Sequence, residues 1–229
     1  MATTKTTTKN FEISLTSFTD FLLRVGLPKV RQAETIRDQY ISGYQHFKDY
    51  YKQFRDAVCA IHRQGRPVFE LDQLLSTISD ERGKRTNYEL MIRGYKRFWA
   101  TYFQEMDYSW VTPPKAVWKH RKLVVRVNPE LAFTDGHETH LIKLYLKKET
   151  PSKEQVRLIL HLMQITLRPK VERPVISLLD VRRGRLFEET SFDPRLTALL
   201  EGEAAAFLQM YQSIDEMIAN GELMVDPDY

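Results

Sequence analysis

Apolar residues recur at steps of three and four through the first hundred residues, a spacing typical of amphipathic helices. The first such run follows a capping serine, Ser17, and stops at Gly26, which predicts a short helix. The same spacing predicts further helices over residues 28–42, 45–64, 69–78 and 87–103. Pro113 and Pro114 then end the helical part of the chain, because proline cannot continue a helix.

Beyond these prolines the pattern changes to strict alternation, which is typical of half-buried strands. Alternating residues at 123–128 and an extended stretch at 130–133 lead to the turn pair Asp135-Gly136. Residues 140–147 alternate again. We therefore expect a hairpin with one clearly apolar face, carrying Ile142, Leu144 and Leu146, while the other face carries Leu141, Lys143, Tyr145 and Lys147.

A helix is predicted after this hairpin, because Ser152 and Gln155 have the spacing of a capping box and a broad apolar stripe follows them. Residues 175–181 and 185–188 then predict a second hairpin. The last helix is expected to begin at Asp193-Pro194 and to end at Asn220-Gly221. The order of elements predicts a ββαβ(β) module at about residues 122–189.

The predicted fold class is α+β: a helical N-terminal region, a small mixed sheet with ββαββ order and a packed helix, and a C-terminal helix. The predicted division is a disordered end at 1–10, a helical region at 11–112, the ββαββ core at 113–190 and an acidic helical tail at 191–229. Residues 1–10 are mostly threonine and lysine, so they cannot bury enough apolar surface to offset the cost of ordering.

The composition is that of a globular protein, with 42% hydrophobic and 28% charged residues in 229. A single cysteine, Cys59, excludes an intramolecular disulfide and a cysteine-only zinc site. The sequence contains no apolar run long enough to span a membrane and no signal peptide. We therefore expect a cytoplasmic protein that does not associate with membranes.

Charge is distributed unevenly along the chain, although the net charge is only +4. Residues 81–126 carry 11 Lys and Arg against 4 acidic residues, whereas residues 193–229 carry 8 acidic residues against one arginine. A basic segment can attract phosphate, or it can meet an acidic surface of the same or another protein. Nucleic acid, a protein partner and self-association are therefore all possible partners.

Most familiar catalytic and cofactor signatures are absent from the sequence. Cys59 and His62 lie three positions apart on a predicted amphipathic helix, so we expect them to pack rather than to catalyse. His137, Glu138 and His140 have suitable donor chemistry for a metal, but they follow a hairpin turn, where polar residues are common in any case. No metal site is predicted from them.

Three segments carry a resemblance to a known family: Val127-Asn-Pro-Glu130, the strand at 141–147, and the helix start Ser152-Lys-Glu-Gln155. Together they resemble the restriction-endonuclease-like PD-(D/E)XK core, over about residues 122–189. The resemblance implies that an acid on one strand and an acid-x-Lys on the next hold a divalent metal that activates water. Glu130 matches the first acid, and Gln155 matches a helix glutamine of the RecB-like branch.

The second half of this motif is missing, since the strand that should carry acid-x-Lys offers only Lys143, Lys147 and Tyr145 beside its apolar residues. A single glutamate holds Mg²⁺ poorly, because hard cations require several oxygen ligands. An active Mg²⁺-dependent nuclease would need Glu138 or Glu149 to replace the missing acid. Its catalytic residues would be Glu130, Glu138 and Lys143; otherwise we expect a catalytically degenerate core.

A degenerate core of this kind can still bind a phosphate backbone without chemistry. The candidate contacts are the exposed basic residues of the fifth predicted helix and of the second strand: Arg93, Lys96, Arg97, Lys143 and Lys147. Trp99, Trp110 and Trp118 are expected to pack in the core rather than to stack on bases. The alternative is an unrelated ββαββ module that acts as a protein-interaction or assembly subunit through its oppositely charged surfaces.

Overall fold

The computed structural model describes residues 10–41, 50–79, 83–104, 107–188 and 191–223. The predicted disordered end therefore lies outside the described residues, except for Asn10, and so do the predicted ends of two helices at 42–45. The α-helices are α1 (Leu15–Leu22), α2 (Leu27–Ile41), α3 (Lys52–Arg63), α4 (Lys84–Tyr102), α5 (Lys153–Leu167) and α6 (Pro194–Ala219), with a 3-10 helix at Val68–Thr77. The strands are β1 (Phe11–Ser14), β2 (Ser109–Trp110), β3 (Val117–His120), β4 (Leu123–Arg126), β5 (Leu131–Thr134), β6 (Thr139–Tyr145), β7 (Pro174–Asp180) and β8 (Arg185–Glu188).

These elements confirm the α+β fold class and the C-terminal helix. The fourth predicted helix is a 3-10 helix, and the sequence pattern does not distinguish it from an α-helix at this length. None of the helices in the described ranges is both long enough and apolar enough to cross a membrane.

The chain divides into two compact units. The first unit contains residues 10–41, 116–127 and 193–223 of the described chain. Its sheet has the order β1-β4-β3, with β1 parallel and β3 antiparallel to β4. Helix α6 is held to α2 by two ion pairs, Lys29–Glu203 and Arg37–Asp215, each at 2.5 Å. Two carboxylates of the acidic tail are therefore neutralised within this unit.

The second unit contains residues 50–115 and 128–192, apart from those outside the described ranges. Its sheet has the order β2-β5-β6-β7-β8, in which β6 and β7 are parallel and the other neighbours are antiparallel. Helix α5 connects the two parallel strands and packs against β7. The predicted ββαββ order is therefore found in β5, β6, α5, β7 and β8.

The two faces of this sheet have different neighbours. Ile142, Leu144 and Leu179 lie in one apolar core with the side chains of α3, α4 and the 3-10 helix. Because side chains alternate along a strand, Lys143, Tyr145 and their neighbours in the register belong to the other face. The polar positions of β6 therefore lie on the opposite face of the sheet from the main core, and the candidate site is on that face.

Strand β4 differs from the sequence-based expectation. Residues 122–127 were predicted to belong to the ββαβ(β) module, but β4 pairs with β1 and β3 in the first unit. The sequence pattern identifies the strand correctly, while its partner β1 is only four residues long and lies far away in the chain. Alternation predicts which side of a strand is buried and gives no information about which strand it joins.

Candidate nucleic-acid interface

Glu130 and Lys143 lie side by side on the α5 face of the second unit's sheet. The register pairs Leu131 with Ile142, which brings the preceding Glu130 opposite Lys143. The Nζ of Lys143 lies 2.5 Å from Oε1 of Glu130 and 3.0 Å from the carbonyl oxygen of Asn128. The other carboxylate oxygen of Glu130 accepts the backbone N–H of Leu144 at 2.8 Å. Both side chains are mostly buried, with 14% of Lys143 and 17% of Glu130 exposed.

Glu138 does not join this pair. It precedes β6 at the β5–β6 turn and is exposed, five residues before Lys143. At about 3.3 Å per strand residue, that separation corresponds to roughly 16 Å. The three candidate catalytic residues therefore form one pair, Glu130 with Lys143, and one distant carboxylate.

The turn that carries Glu138 has a purely local organisation. Asp135 accepts the backbone N–H groups of His137 and Glu138 at 2.8 Å each, and these hydrogen bonds lower the pKa of its carboxyl. His140 contacts the hydroxyl of Tyr108 at 3.1 Å, and partial burial lowers its pKa. Within the described ranges, no group of three His, Cys, Asp or Glu side chains is close enough to hold a metal ion.

A second acid–base pair lies at the carboxyl end of β7. Asp180 is fully buried, and both of its carboxylate oxygens accept hydrogen bonds from Arg183, at 3.1 and 3.3 Å. The register places Asp180 beside Tyr145, whose hydroxyl donates to Oε1 of Gln155 at 3.5 Å. Gln155 lies in the first turn of α5, so the start of this helix lies next to the end of β6. Sequence reasoning missed Asp180, although its position at the end of an apolar strand, before two arginines, was a signal.

Helix α4 crosses this same end of the sheet at very short range. A Cβ atom at Gly94 would lie 2.0 Å from the carbonyl oxygen of Val181, in the turn between β7 and β8. On the opposite side of the contact, a Cβ atom at Gly184 would lie 2.5 Å from the carbonyl oxygen of Gly94 and 3.3 Å from Cβ of Arg97. The two glycines therefore permit the close approach that brings Arg97 against the β7–β8 turn.

The β7–β8 turn also contacts the segment after β6. Nε of Arg182 donates to the carbonyl oxygen of Leu146 at 3.3 Å, and Arg183 donates to the carbonyl oxygen of Lys148 at 3.2 Å. Basic residues from four segments thus surround the carboxyl ends of the two parallel strands. We call this set the basic edge: Arg93, Arg97, Lys147, Lys148, Lys153, Arg182 and Arg183.

The candidate phosphate contacts differ in their availability. Arg93 and Arg97 are exposed, and no carboxylate in the described part of the chain lies within ion-pair distance of them. Lys96 instead lies 2.5 Å from Oδ2 of Asp72, on the side of α4 that packs against the 3-10 helix. The ammonium group of Lys143 is already paired with the carboxylate of Glu130. The two arginines are therefore the available cations of the predicted set on α4, while the segment after β6 and the first turn of α5 also carry two exposed acids, Glu149 and Glu154.

The buried polar and aromatic residues of the second unit have a structural role. Trp99 and Trp110 pack around His62, Phe103 and Phe133. Burial lowers the pKa of His62 to about 4, and its Nε2 lies 2.6 Å from the Tyr95 hydroxyl. Burial also raises the pKa of Cys59 to about 11, so its thiol stays protonated at neutral pH and is a poor nucleophile.

The chain matches no model of a known protein family, and no curated protein matches it.

Proposed function

We propose that the protein binds the phosphate backbone of nucleic acid through the basic edge of its second unit. The observation that supports the proposal best is the convergence at the ends of β6 and β7, where Arg97 contacts the β7–β8 turn and that turn contacts the segment after β6. In open sheets, ligands commonly bind beyond the carboxyl ends of parallel strands. Exposed cations there, foremost Arg93 and Arg97, can replace the counterions of a phosphate backbone.

The proposed core is a catalytically degenerate relative of the PD-(D/E)XK nucleases. The order β5, β6, α5, β7, and the placement of Glu130 and Gln155 on the α5 side of the sheet, support this resemblance. The residues do not fit a divalent metal, because the oxygens of Glu130 are occupied by the ammonium of Lys143 and the N–H of Leu144. The pair therefore supports no metal-assisted hydrolysis. We propose the cytoplasm as the location, because a single cysteine is typical of a reducing compartment.

The rival proposal of an assembly subunit is less well supported. It requires exposed carboxylates on the acidic tail, but Glu203 and Asp215 are paired with Lys29 and Arg37 inside the first unit. In the described part of the tail, this leaves Glu201, Glu216 and Glu222 as exposed acids.

Fluorescence polarisation with labelled single-stranded and double-stranded oligonucleotides tests the proposal. We expect the affinity to fall steeply as the salt concentration rises from about 50 to about 200 mM, because binding releases counterions from the phosphate backbone. The absence of salt-sensitive affinity for any of the oligonucleotides would rule out the proposed function.

A further inference from the structure

The hairpin of β3 and β4 in the first unit ends in an exposed basic tip. His120 pairs with Leu123, so Arg121 and Lys122 form the two-residue turn between the strands. Both turn residues and Lys119 are exposed. In the described part of the chain, no acidic side chain pairs with any of these three cations. By contrast, Arg126 at the base of the hairpin lies 3.4 Å from Glu12.

The alternate residues of β3 fix this tip in place. The ring of Trp118 stacks on Phe18 at 5.7 Å and on His120 at 5.9 Å. Trp118 and His120 are partly buried, whereas Lys119 lies between them on the opposite side of the strand. The basic side chains are therefore presented at an anchored corner of the three-stranded sheet β1-β4-β3.

The amino-acid sequence of this turn is not the one that would make the hairpin most stable. Arg121 has φ +53°, a left-handed conformation in which a residue with a side chain is disfavoured. Two-residue hairpin turns with positive φ at the first central position favour glycine there. Arginine and lysine at these two positions keep positive charge at the tip but make the turn conformation less favourable.

We propose that the β3–β4 hairpin is a second nucleic-acid contact, in which Lys119, Arg121 and Lys122 bind backbone phosphates. The proposal goes beyond the basic edge because it concerns the other compact unit. These three cations are exposed, no acid in the described part of the chain neutralises them, and lysine and arginine bind phosphate oxygens. An anionic membrane is a worse match, since membrane insertion needs apolar residues at the tip, and residues 119–122 contain none.

The test uses the full chain with the double variant Arg121→Gly/Lys122→Ser, which removes both charges and supplies the residue types that the turn favours. We expect about tenfold weaker binding to labelled duplex DNA or duplex RNA, and a salt dependence shallower by about two phosphate contacts. The melting temperature should equal or exceed that of the wild type. A charge-matched control, Arg24→Asn/Arg31→Gln, alters two exposed cations of the same unit and should bind like the wild type.

A second variant, Lys119→Gln/Lys122→Gln, leaves Arg121 in the turn and must also weaken binding, whatever the first variant does to stability. The proposal is overturned if both hairpin variants bind like the wild type, or if the control loses as much affinity as they do. It is also overturned if the hairpin variants lose affinity only for vesicles containing anionic lipid. The DNA and RNA probes, measured side by side, establish which backbone the hairpin contacts.

The basic edge is tested separately with Arg93→Ala/Arg97→Ala. If only this variant loses affinity for nucleic acid, the hairpin proposal is overturned and the basic-edge proposal is supported. If only the hairpin variants lose affinity, the hairpin proposal is supported and the basic-edge proposal is overturned.

Discussion

The ammonium of Lys143 lies 2.5 Å from the carboxylate of Glu130 and 3.0 Å from the carbonyl oxygen of Asn128, so this lysine completes an internal polar cluster. Lysine at this position therefore neutralises the acid that, in the nuclease resemblance, would hold metal. The same pair also reduces the role of Lys143 as a phosphate contact, because its charge is already balanced.

Removal of the ammonium should destabilise the protein. Lys143→Met leaves the mostly buried carboxylate of Glu130 without its cation, and we expect a loss of about 1–3 kcal/mol in the free energy of unfolding. The double variant Lys143→Met/Glu130→Gln should recover part of that loss, because the glutamine oxygen can still accept the N–H of Leu144. Urea unfolding of the two single variants and the double variant measures the coupling. Strictly additive losses would show that the pair does not interact.

The contact between α4 and the β7–β8 turn should be highly sensitive to one methyl group. Gly94→Ala puts a Cβ 2.0 Å from the carbonyl oxygen of Val181 and 2.5 Å from that of Arg182. Backbone atoms cannot move aside easily, so we expect a loss of more than about 3 kcal/mol, the upper end of overpacking effects. Gly202→Ala, in α6, meets nothing within 4 Å and should be neutral or stabilising by up to about 1 kcal/mol. Thermal or urea unfolding that found the two variants equally stable would contradict the close packing.

Stability should fall as the solution is acidified below neutral pH. The pKa of His62 is about 4 in the folded protein, against 6.5 for an ordinary histidine, because burial disfavours the charged ring. Between these values the unfolded chain binds the additional proton, so the stabilisation present above pH 6.5 is lost as the pH falls towards 4. The full contribution is roughly 3 kcal/mol.

Urea unfolding between pH 4 and 7 measures this dependence, with the pH range taken from the two pKa values. His62→Gln should flatten the curve, since glutamine has no proton to gain. His137→Gln, an exposed substitution on the β5–β6 turn, should behave like the wild type. An unchanged slope in the His62 variant would show that another group causes the pH dependence.

The degenerate core should show no nuclease activity of its own. Incubation of plasmid or oligonucleotides with the protein and Mg²⁺ or Mn²⁺ should leave the substrate intact. Any trace cleavage should be equal for the wild type and Glu130→Ala, since Glu130 is already bound to Lys143. Cleavage that the Glu130 variant abolishes would contradict the proposed loss of catalysis.

Local features of the fold could be predicted from the sequence. The cap at Ser152, the turn after Phe133 and the proline-initiated last helix depend on residues that are neighbours in the chain. Alternation also separated Lys143 and Tyr145 correctly from the apolar face of β6. Such features follow from the spacing of residues along the chain, because they do not depend on tertiary contacts.

The composition of the site could not be predicted in the same way. The pairing of Lys143 with Glu130 depends on the register of two strands, and the contact of Arg97 with Gly184 depends on a helix crossing a distant turn. Sequence alone likewise does not distinguish Lys96 from Arg97, its neighbour, although Lys96 is paired with Asp72. Such differences arise from packing between remote segments.

The most direct test of the central claim compares Arg93→Ala/Arg97→Ala with Lys96→Ala in a salt titration of nucleic-acid binding. The three residues lie on one helix, but among the residues that the structure describes only Lys96 of the three is paired with an acid. We predict that the double variant binds about tenfold more weakly and that its logarithmic salt dependence is shallower by about 2, while Lys96→Ala retains nearly wild-type affinity and slope. Equal affinity and equal slope for the wild type and the double variant would contradict the assignment of the basic edge.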